Sequence, residues 1–213
     1  MDKSNKKQET VYQDKLYNAA QYALSAHELK QLPADSGFEV AFAGRSNAGK
    51  SSAINALTRR NSLARTSKTP GRTQQIVIFE MPNNRRLMDL PGYGFAKVPE
   101  KLRKHWRQLM GQYFASRESL QGVILLMDVR HPMKPFDEQM IDWSCSNQIP
   151  CHILLTKADK LKRGPAQSAL LKLRRDLPEL ASAQLFSAKT RNGVGSLIEK
   201  LNDWLQLSGE NES

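Results

Sequence analysis

Apolar positions in this chain follow two rhythms. Short runs of strand length, beginning with Phe38-Glu39-Val40-Ala41-Phe42-Ala43, alternate with longer stretches in which apolar residues recur every three or four positions. The first strand is followed by a predicted helix over Ser51 to Arg59. Gln75 to Glu80 and Arg85 to Met88 read as two strands around a turn at Pro82-Asn83-Asn84, a hairpin rather than a crossover. The pattern continues with a helix near Glu100 to Tyr113, a strand Gly122 to Met127, a helix near Phe136 to Ser144 and a strand Cys151 to Leu155. A helix Ala166 to Arg175, a strand Gln184 to Phe186 and a helix Val194 to Leu207 complete it. Such alternation predicts a three-layer α/β fold. Its core is a mostly parallel six-stranded sheet with one antiparallel strand, and helices cover both faces. In sheets of this kind ligands bind beyond the carboxyl ends of the strands. Upstream, Val11 to Lys30 looks helical and ends in the turn-rich Leu32 to Gly37. Residues 1–34 therefore read as a partly helical extension, 35–208 as the domain, and 209–213 as a flexible acidic tail.

Composition narrows the class. With 39% hydrophobic residues among 213, the chain can bury a core, which excludes full disorder. The longest apolar run, Val123 to Met127, is far short of the roughly 20 residues that cross a bilayer. The first residues contain no apolar stretch of the kind a secretory signal needs, so the expected location is the cytoplasm, and a monomer is the default state. Cys145 and Cys151 lack metal-type spacing and read as buried thiols. His27, His105, His131 and His152 are scattered, so no nucleophile–histidine constellation is supported. The net charge of +11 is concentrated: between Gly44 and Arg86 there are nine basic residues and one acid, Glu80. A polyanionic partner such as RNA suits that distribution.

Three motifs carry chemistry, in order. Gly44-Arg45-Ser46-Asn47-Ala48-Gly49-Lys50-Ser51 fits the phosphate-loop pattern and lies between a predicted strand and a predicted helix. Its glycines let backbone N–H groups turn around a β-phosphate, Lys50 adds a full charge, and Ser51 offers a hydroxyl to Mg²⁺. Asp89-Leu90-Pro91-Gly92 places a carboxylate at a strand end, where it can hold a metal-bound water and bring its glycine near a γ-phosphate. Thr156-Lys157-Ala158-Asp159 follows another strand. A carboxylate there accepts from the guanine ring N–H and exocyclic amine, whereas adenine would present an acceptor to it. Lys157 would lay its stem across the base, and Phe186-Ser187-Ala188 can supply a backbone N–H to the guanine oxygen.

This ordered set resembles the translation-factor-type P-loop GTPases, and closely the bacterial EngB (YihA/YsxC) family. The family's own variants appear in Ala43 to Ser52, Ser67-Lys68-Thr69-Pro70-Gly71-Arg72-Thr73-Gln74, Asp89 to Gly94 and Asp128-Val129-Arg130-His131-Pro132, over about residues 36 to 207. The resemblance implies a GTPase switch, active in large ribosomal subunit assembly and in normal division and septation. It implies a GTP site extended through Gly71, Arg72, Thr73, Gln74 and Gln75, a catalytic set of Lys50, Thr73, Asp89 and Gly92, and Mg²⁺ held by Ser51 and Thr73. Thr66 and Thr69 are rivals to Thr73 as the switch threonine. Asn47 matches the position at which related GTPases hold K⁺. Tyr93 stands where many GTPases carry a water-orienting glutamine, so slow intrinsic hydrolysis is expected.

In the helix after Pro99, Leu102, Trp106, Leu109, Met110 and Tyr113 should face the core, leaving Lys101, Arg103, Lys104 and Arg107 outward. That basic face suits contact with rRNA of the large subunit. Two other classes share some of these features. One is a metabolic phosphotransferase, which the guanine motif argues against. The other is an RNA-binding module with structural guanine nucleotide, whose RNA affinity would ignore nucleotide state.

Overall fold

Residues 15–64, 75–94 and 100–207 are described by a computed structural model, the side chain of Leu102 excepted. The elements are β1 (Gln21–Ala26), β2 (Phe38–Gly44), α1 (Lys50–Leu57), β3 (Ile76–Met81), β4 (Arg85–Asp89), α2 (Glu100–Ser116), β5 (Leu120–Asp128), α3 (Pro135–Ser146), β6 (Cys151–Thr156), α4 (Arg163–Arg175), β7 (Ala181–Leu185) and α5 (Val194–Trp204). They build one seven-stranded sheet in the order β1-β3-β4-β2-β5-β6-β7. Only β3 runs against the rest, antiparallel to both β1 and β4.

The sheet's interior reads as continuous apolar runs because both faces are covered. Along β5, Val123, Leu125 and Met127 join the cluster containing Leu109, Met110, Met140, Ile141, Leu170 and Leu173 of α2, α3 and α4. The alternate residues Ile124 and Leu126 join Ile54, Leu57, Leu197 and Leu201 of α1 and α5. In α2, Leu109, Met110 and Tyr113 are buried as the spacing predicts, and Trp106 is partly so. Cys151 is buried and Cys145 only half-buried, both as free thiols.

Two expectations are corrected at the amino-terminal side. The helix expected over Val11 to Lys30 is, in its described part, a helical turn at 15–18 followed by strand β1. The sheet consequently has seven strands rather than six. Apolar spacing here fits a helix, but the outer edge of β3 offers a row of backbone partners, and pairing from Gln21 opposite Glu80 to Ala26 opposite Ile76 satisfies them. The preceding turn is anchored by Tyr17, fully buried, whose hydroxyl donates to Asn202 Oδ1 at 2.9 Å.

At the opposite edge, His152 of β6 is buried between β7 side chains. Gln184 donates to the Gly193 carbonyl, which turns its Oε1 toward the ring, 3.0 Å from His152 Nε2. Nε2 therefore carries the proton, and Nδ1 accepts from Ser182 Oγ at 2.7 Å. Burial lowers the imidazole below its ordinary value. Below pH about 6.5 the unfolded chain takes up a proton that the folded chain resists, so stability should fall as pH drops, by at most about 1.4 kcal/mol per unit from this group. Denaturant midpoints from pH 7.5 to 5.5 should show a smaller slope in His152→Gln; equal slopes in the two proteins would remove His152 as the cause.

Candidate functional site

Because β2, β4, β5, β6 and β7 are mutually parallel, the segments after them leave the sheet at one end. Gly44, Asp89, Asp128 and Thr156 are the last residues of four of these strands, and Phe186 follows the fifth.

Between β2 and α1 the chain passes through two left-handed residues, Asn47 (φ 63°) and Gly49 (φ 101°), the latter capping α1. Left-handed residues in a loop of this kind can turn N–H groups toward an anion beside the positive end of the helix. Gly44 is required by contact rather than by conformation: a Cβ there would lie 2.8 Å from the Leu126 carbonyl oxygen. The loop is braced from both sides. Ser46 N–H donates to the Tyr93 carbonyl at 3.0 Å, and the Thr156 hydroxyl donates to the Ala48 carbonyl at 2.6 Å.

Register places the next pair. Phe42 of β2 lies opposite Asp89 of β4, and α1 opens at Lys50, whose ammonium donates to Asp89 Oδ1. Both side chains are largely buried. Leu90 continues the ladder through its N–H to Phe42 and buries its side chain, while the Pro91 carbonyl accepts from Trp106 Nε1 at 3.3 Å.

At the other side of the site, Lys157 adopts left-handed backbone (φ 56°, ψ 32°) and turns the chain into the short 3-10 segment Ala158–Lys160. The Ser187 hydroxyl donates to Asp159 Oδ1 at 2.6 Å, and that bond holds the carboxyl below its usual range. The N–H groups of Phe186 and Ser187 are engaged by Leu155 and Asn192. The expected backbone donor to a guanine oxygen thus narrows to Ala188.

Gln75 also stands at this end of the sheet, but its amide Nε2 is 2.6 Å from His27 Nε2, toward the β1 edge. Gly71, Arg72, Thr73 and Gln74, with the rivals Thr66 and Thr69, lie outside the described residues. Thr156, Tyr93 and Asp128 all stand in motifs legible in the sequence, but the bracing by Thr156 and the side-chain links of Tyr93 and Asp128 depend on partners distant along the chain, which no motif names.

A sequence model described as 50S ribosome-binding GTPase matches residues 39–157. The probable GTP-binding protein EngB of Xanthomonas axonopodis pv. citri (strain 306) is 51% identical over 198 residues, covering 91% of this chain and 92% of that protein. This chain belongs to the EngB family of P-loop GTPases. The EngB of Stenotrophomonas maltophilia (strain K279a) is 52% identical over 196 residues, 90% of this chain and 98% of its own. The crystal structure of a probable GTP-binding protein EngB shares the fold, with TM-score 0.65 at 24% identity over 79% of this chain and 98% of that one. GTP binding and GTPase activity follow from membership.

In this EngB-family chain, Tyr93 is 4% exposed and its ring packs against Trp106 and Phe136, with centroids 5.3 and 5.9 Å away. Its hydroxyl donates to Oδ1 of the buried Asp137 at 2.7 Å, while Oδ2 accepts from the Lys134 N–H at 2.9 Å and fixes the start of α3. Burial raises the Asp137 carboxyl above its usual range, and these two donors oppose the rise. The hydroxyl is therefore committed to packing. Tyr93→Phe should cost about 2 kcal/mol by leaving a buried carboxylate short of a donor, visible as a melting point lower by about 5 °C. Single-turnover GTP hydrolysis should be unaffected. A loss of about 10²-fold or more would instead give the hydroxyl an acid–base role.

Proposed function

We propose that this GTPase is a slowly hydrolysing switch whose GTP form docks on the large ribosomal subunit or its precursor and whose GDP form leaves. It acts in subunit assembly, with a consequence for division and septation, as a cytoplasmic monomer. The observation that carries the reading is the coincidence of the family description, 50S ribosome-binding, with a cationic helix beside the nucleotide site. Lys101, Arg103, Lys104 and Arg107 are all exposed on α2, the helix whose Trp106 reaches back to Pro91. Phosphate contacts of this kind provide most sequence-independent RNA affinity.

In the reaction itself, N–H groups of the turn from Asn47 into α1 wrap the β-phosphate, those of Ser46 and Ala48 being held by the Tyr93 and Arg45 carbonyls, and Lys50 leaves Asp89 for the phosphates. Ser51 is the next residue of α1 after Lys50, whose ammonium contacts Asp89, and a hydroxyl and a carboxylate are oxygen donors of the kind that suits a hard dication. Ser51 and Thr73 would hold Mg²⁺, with Asp89 as a further acceptor, and the ion would supply charge neutralisation at the phosphates. Asn47, in its left-handed turn, is the residue that would hold K⁺ if turnover is faster in K⁺ than in Na⁺. Gly92 offers its N–H to the γ-phosphate. Water attacks the γ-phosphorus, the bond to the bridging oxygen breaks, and GDP and phosphate result. With Tyr93 turned into the core, no side chain at that position orients the water, which accounts for a slow intrinsic rate. Asp159 reads the guanine edge, Lys157 covers its face and Ala188 donates to its oxygen.

Co-sedimentation with purified large subunits at near-physiological salt tests the proposal, comparing a non-hydrolysable GTP analogue, GDP and no nucleotide. Pelleting only with the analogue is expected. Equal pelleting in all three states would reduce the protein to a constitutive RNA binder, and none would separate the GTPase from the ribosome.

A further inference from the structure

Asp128 ends β5 opposite Thr156 of β6, and the Val129 N–H carries the ladder one step further by donating to the Thr156 carbonyl at 3.0 Å. The two chains therefore leave the sheet side by side, and this brings Asp128 against Lys157. The Asp128 carboxylate collects four donors. Oδ1 accepts from Arg130 N at 3.1 Å and Arg130 Nε at 2.9 Å. Oδ2 accepts from Arg130 Nη2 at 2.7 Å and faces Lys157 Nζ at 3.0 Å. Arg130 thus fixes the plane of the carboxylate, and Oδ2 is left facing the lysine. From the other end, the left-handed backbone at Lys157 sets the direction in which its stem departs.

We infer that Asp128 is a positioning residue for the nucleotide: it tethers the Lys157 ammonium so that the lysine stem is held ready against one face of the guanine ring, and thereby slows nucleotide release. The inference rests on the reading of Lys157 and Asp159 as the base site. A lysine side chain has four flexible bonds and loses their freedom on covering a base; tethering its far end beforehand lowers that cost in the bound state. Asp128 stays ionised because Arg130 foremost, and Lys157 after it, hold its carboxyl well below the usual carboxylate range. Lys157 is about one-third exposed and Arg130 more so, so solvent screening keeps the effect modest.

The experiment is stopped-flow release of a fluorescently labelled GDP from the full chain. Asp128→Asn, nearly identical in shape, should release it about fivefold faster, the upper end expected for a partly exposed ion pair. In a Lys157→Met background the same change should add less than about twofold, because the tether has lost its cargo. Unchanged release in Asp128→Asn, or effects that simply multiply in the double variant, would overturn the assignment. Melting of the nucleotide-free protein checks that Asp128→Asn folds. Arg130→Gln, which keeps both members of the ion pair, is the second variant and should speed release by less than about twofold. A change as large as that of Lys157→Met would give the role to the arginine clamp and also overturn the proposal. Finally, in an Asp159→Asn protein loaded with labelled xanthosine diphosphate, Asp128→Asn should act by the same factor, since the stem meets the ring's face and not its edge. If Asp159→Asn gains no hold on xanthosine diphosphate, the base-site reading fails; that outcome is separate from multiplying effects, which remove Asp128 alone.

Discussion

Asp159→Asn should weaken GTP and GDP binding about a thousandfold and make xanthosine nucleotides the preferred ligands. The carboxylate is held by the Ser187 hydroxyl at the turn after β6 and has both oxygens suited to accept from adjacent donors. An amide in its place sets one N–H group against a donor on guanine and loses the charge from the other bond. An unmatched polar group costs about 1–3 kcal/mol and a charge-assisted bond exceeds a neutral one, so the total is about 4 kcal/mol, or about three decades of affinity. Xanthine carries a carbonyl where guanine carries its amine, and the amide donates to it. Titrations with the four diphosphates of guanosine, xanthosine, adenosine and inosine read this directly. A variant that loses all nucleotides alike, with no gain for xanthosine, would remove Asp159 from base recognition.

The second large effect belongs to the other end of the sheet. Glu39, near the start of β2, is fully buried and accepts from Arg117 Nη2 at 2.6 Å, Arg117 Nε at 2.9 Å and Arg86 Nη1 at 3.1 Å. Arg86 and Arg117 are themselves less than 10% exposed in their side chains. The carboxylate is the counter-charge that permits two guanidinium groups to sit there. Asp35 contributes from farther off, 3.5 Å from Arg117, and its own carboxyl is lowered as its bonds to Ser119 and the N–H of Glu118 outweigh burial. Glu39→Gln removes that charge while keeping the volume. Breaking a buried ion pair in this way costs about 3–5 kcal/mol, which for a domain of this size lowers the melting temperature by about 10 °C. Glu39 is five residues before Gly44, roughly 17 Å along the strand. Protein that remains folded should accordingly bind GDP with unchanged affinity. A stability loss below about 1 kcal/mol would show that water replaces the carboxylate, and a selective loss of GDP binding would tie Glu39 to the site.

Much of the site was legible because its constraints are local. A loop that must turn N–H groups inward needs left-handed residues, and glycine or asparagine supplies them within a few positions of one another, as Asn47 and Gly49 do. A lysine and a serine at a helix start and aspartates at or just after strand ends are likewise short-range features, so Lys50, Asp89 and Asp159 could be named as candidates from spacing and order. Tyr93 was recognised as unfit to orient water, but not where it would go; that depended on Asp137, 44 residues away, being buried at the start of α3. Asp128 stood in a recognised motif, yet its hold on Lys157 follows from the β5–β6 register.

The alternation of strand and helix, the order of the three motifs and the excess of basic charge are properties of neighbouring residues, and the amino-acid sequence by itself determined them, together with the class of fold and the guanine nucleotide. The tertiary structure decided what depends on distant partners. It made residues 21–26 a strand, because an open sheet edge outweighs a weak helical pattern. It also joined Thr156 to the phosphate loop, Tyr93 to α3 and Lys157 to Asp128, because parallel register sets which side chains meet at strand ends, and register is a relation between segments that no single segment contains.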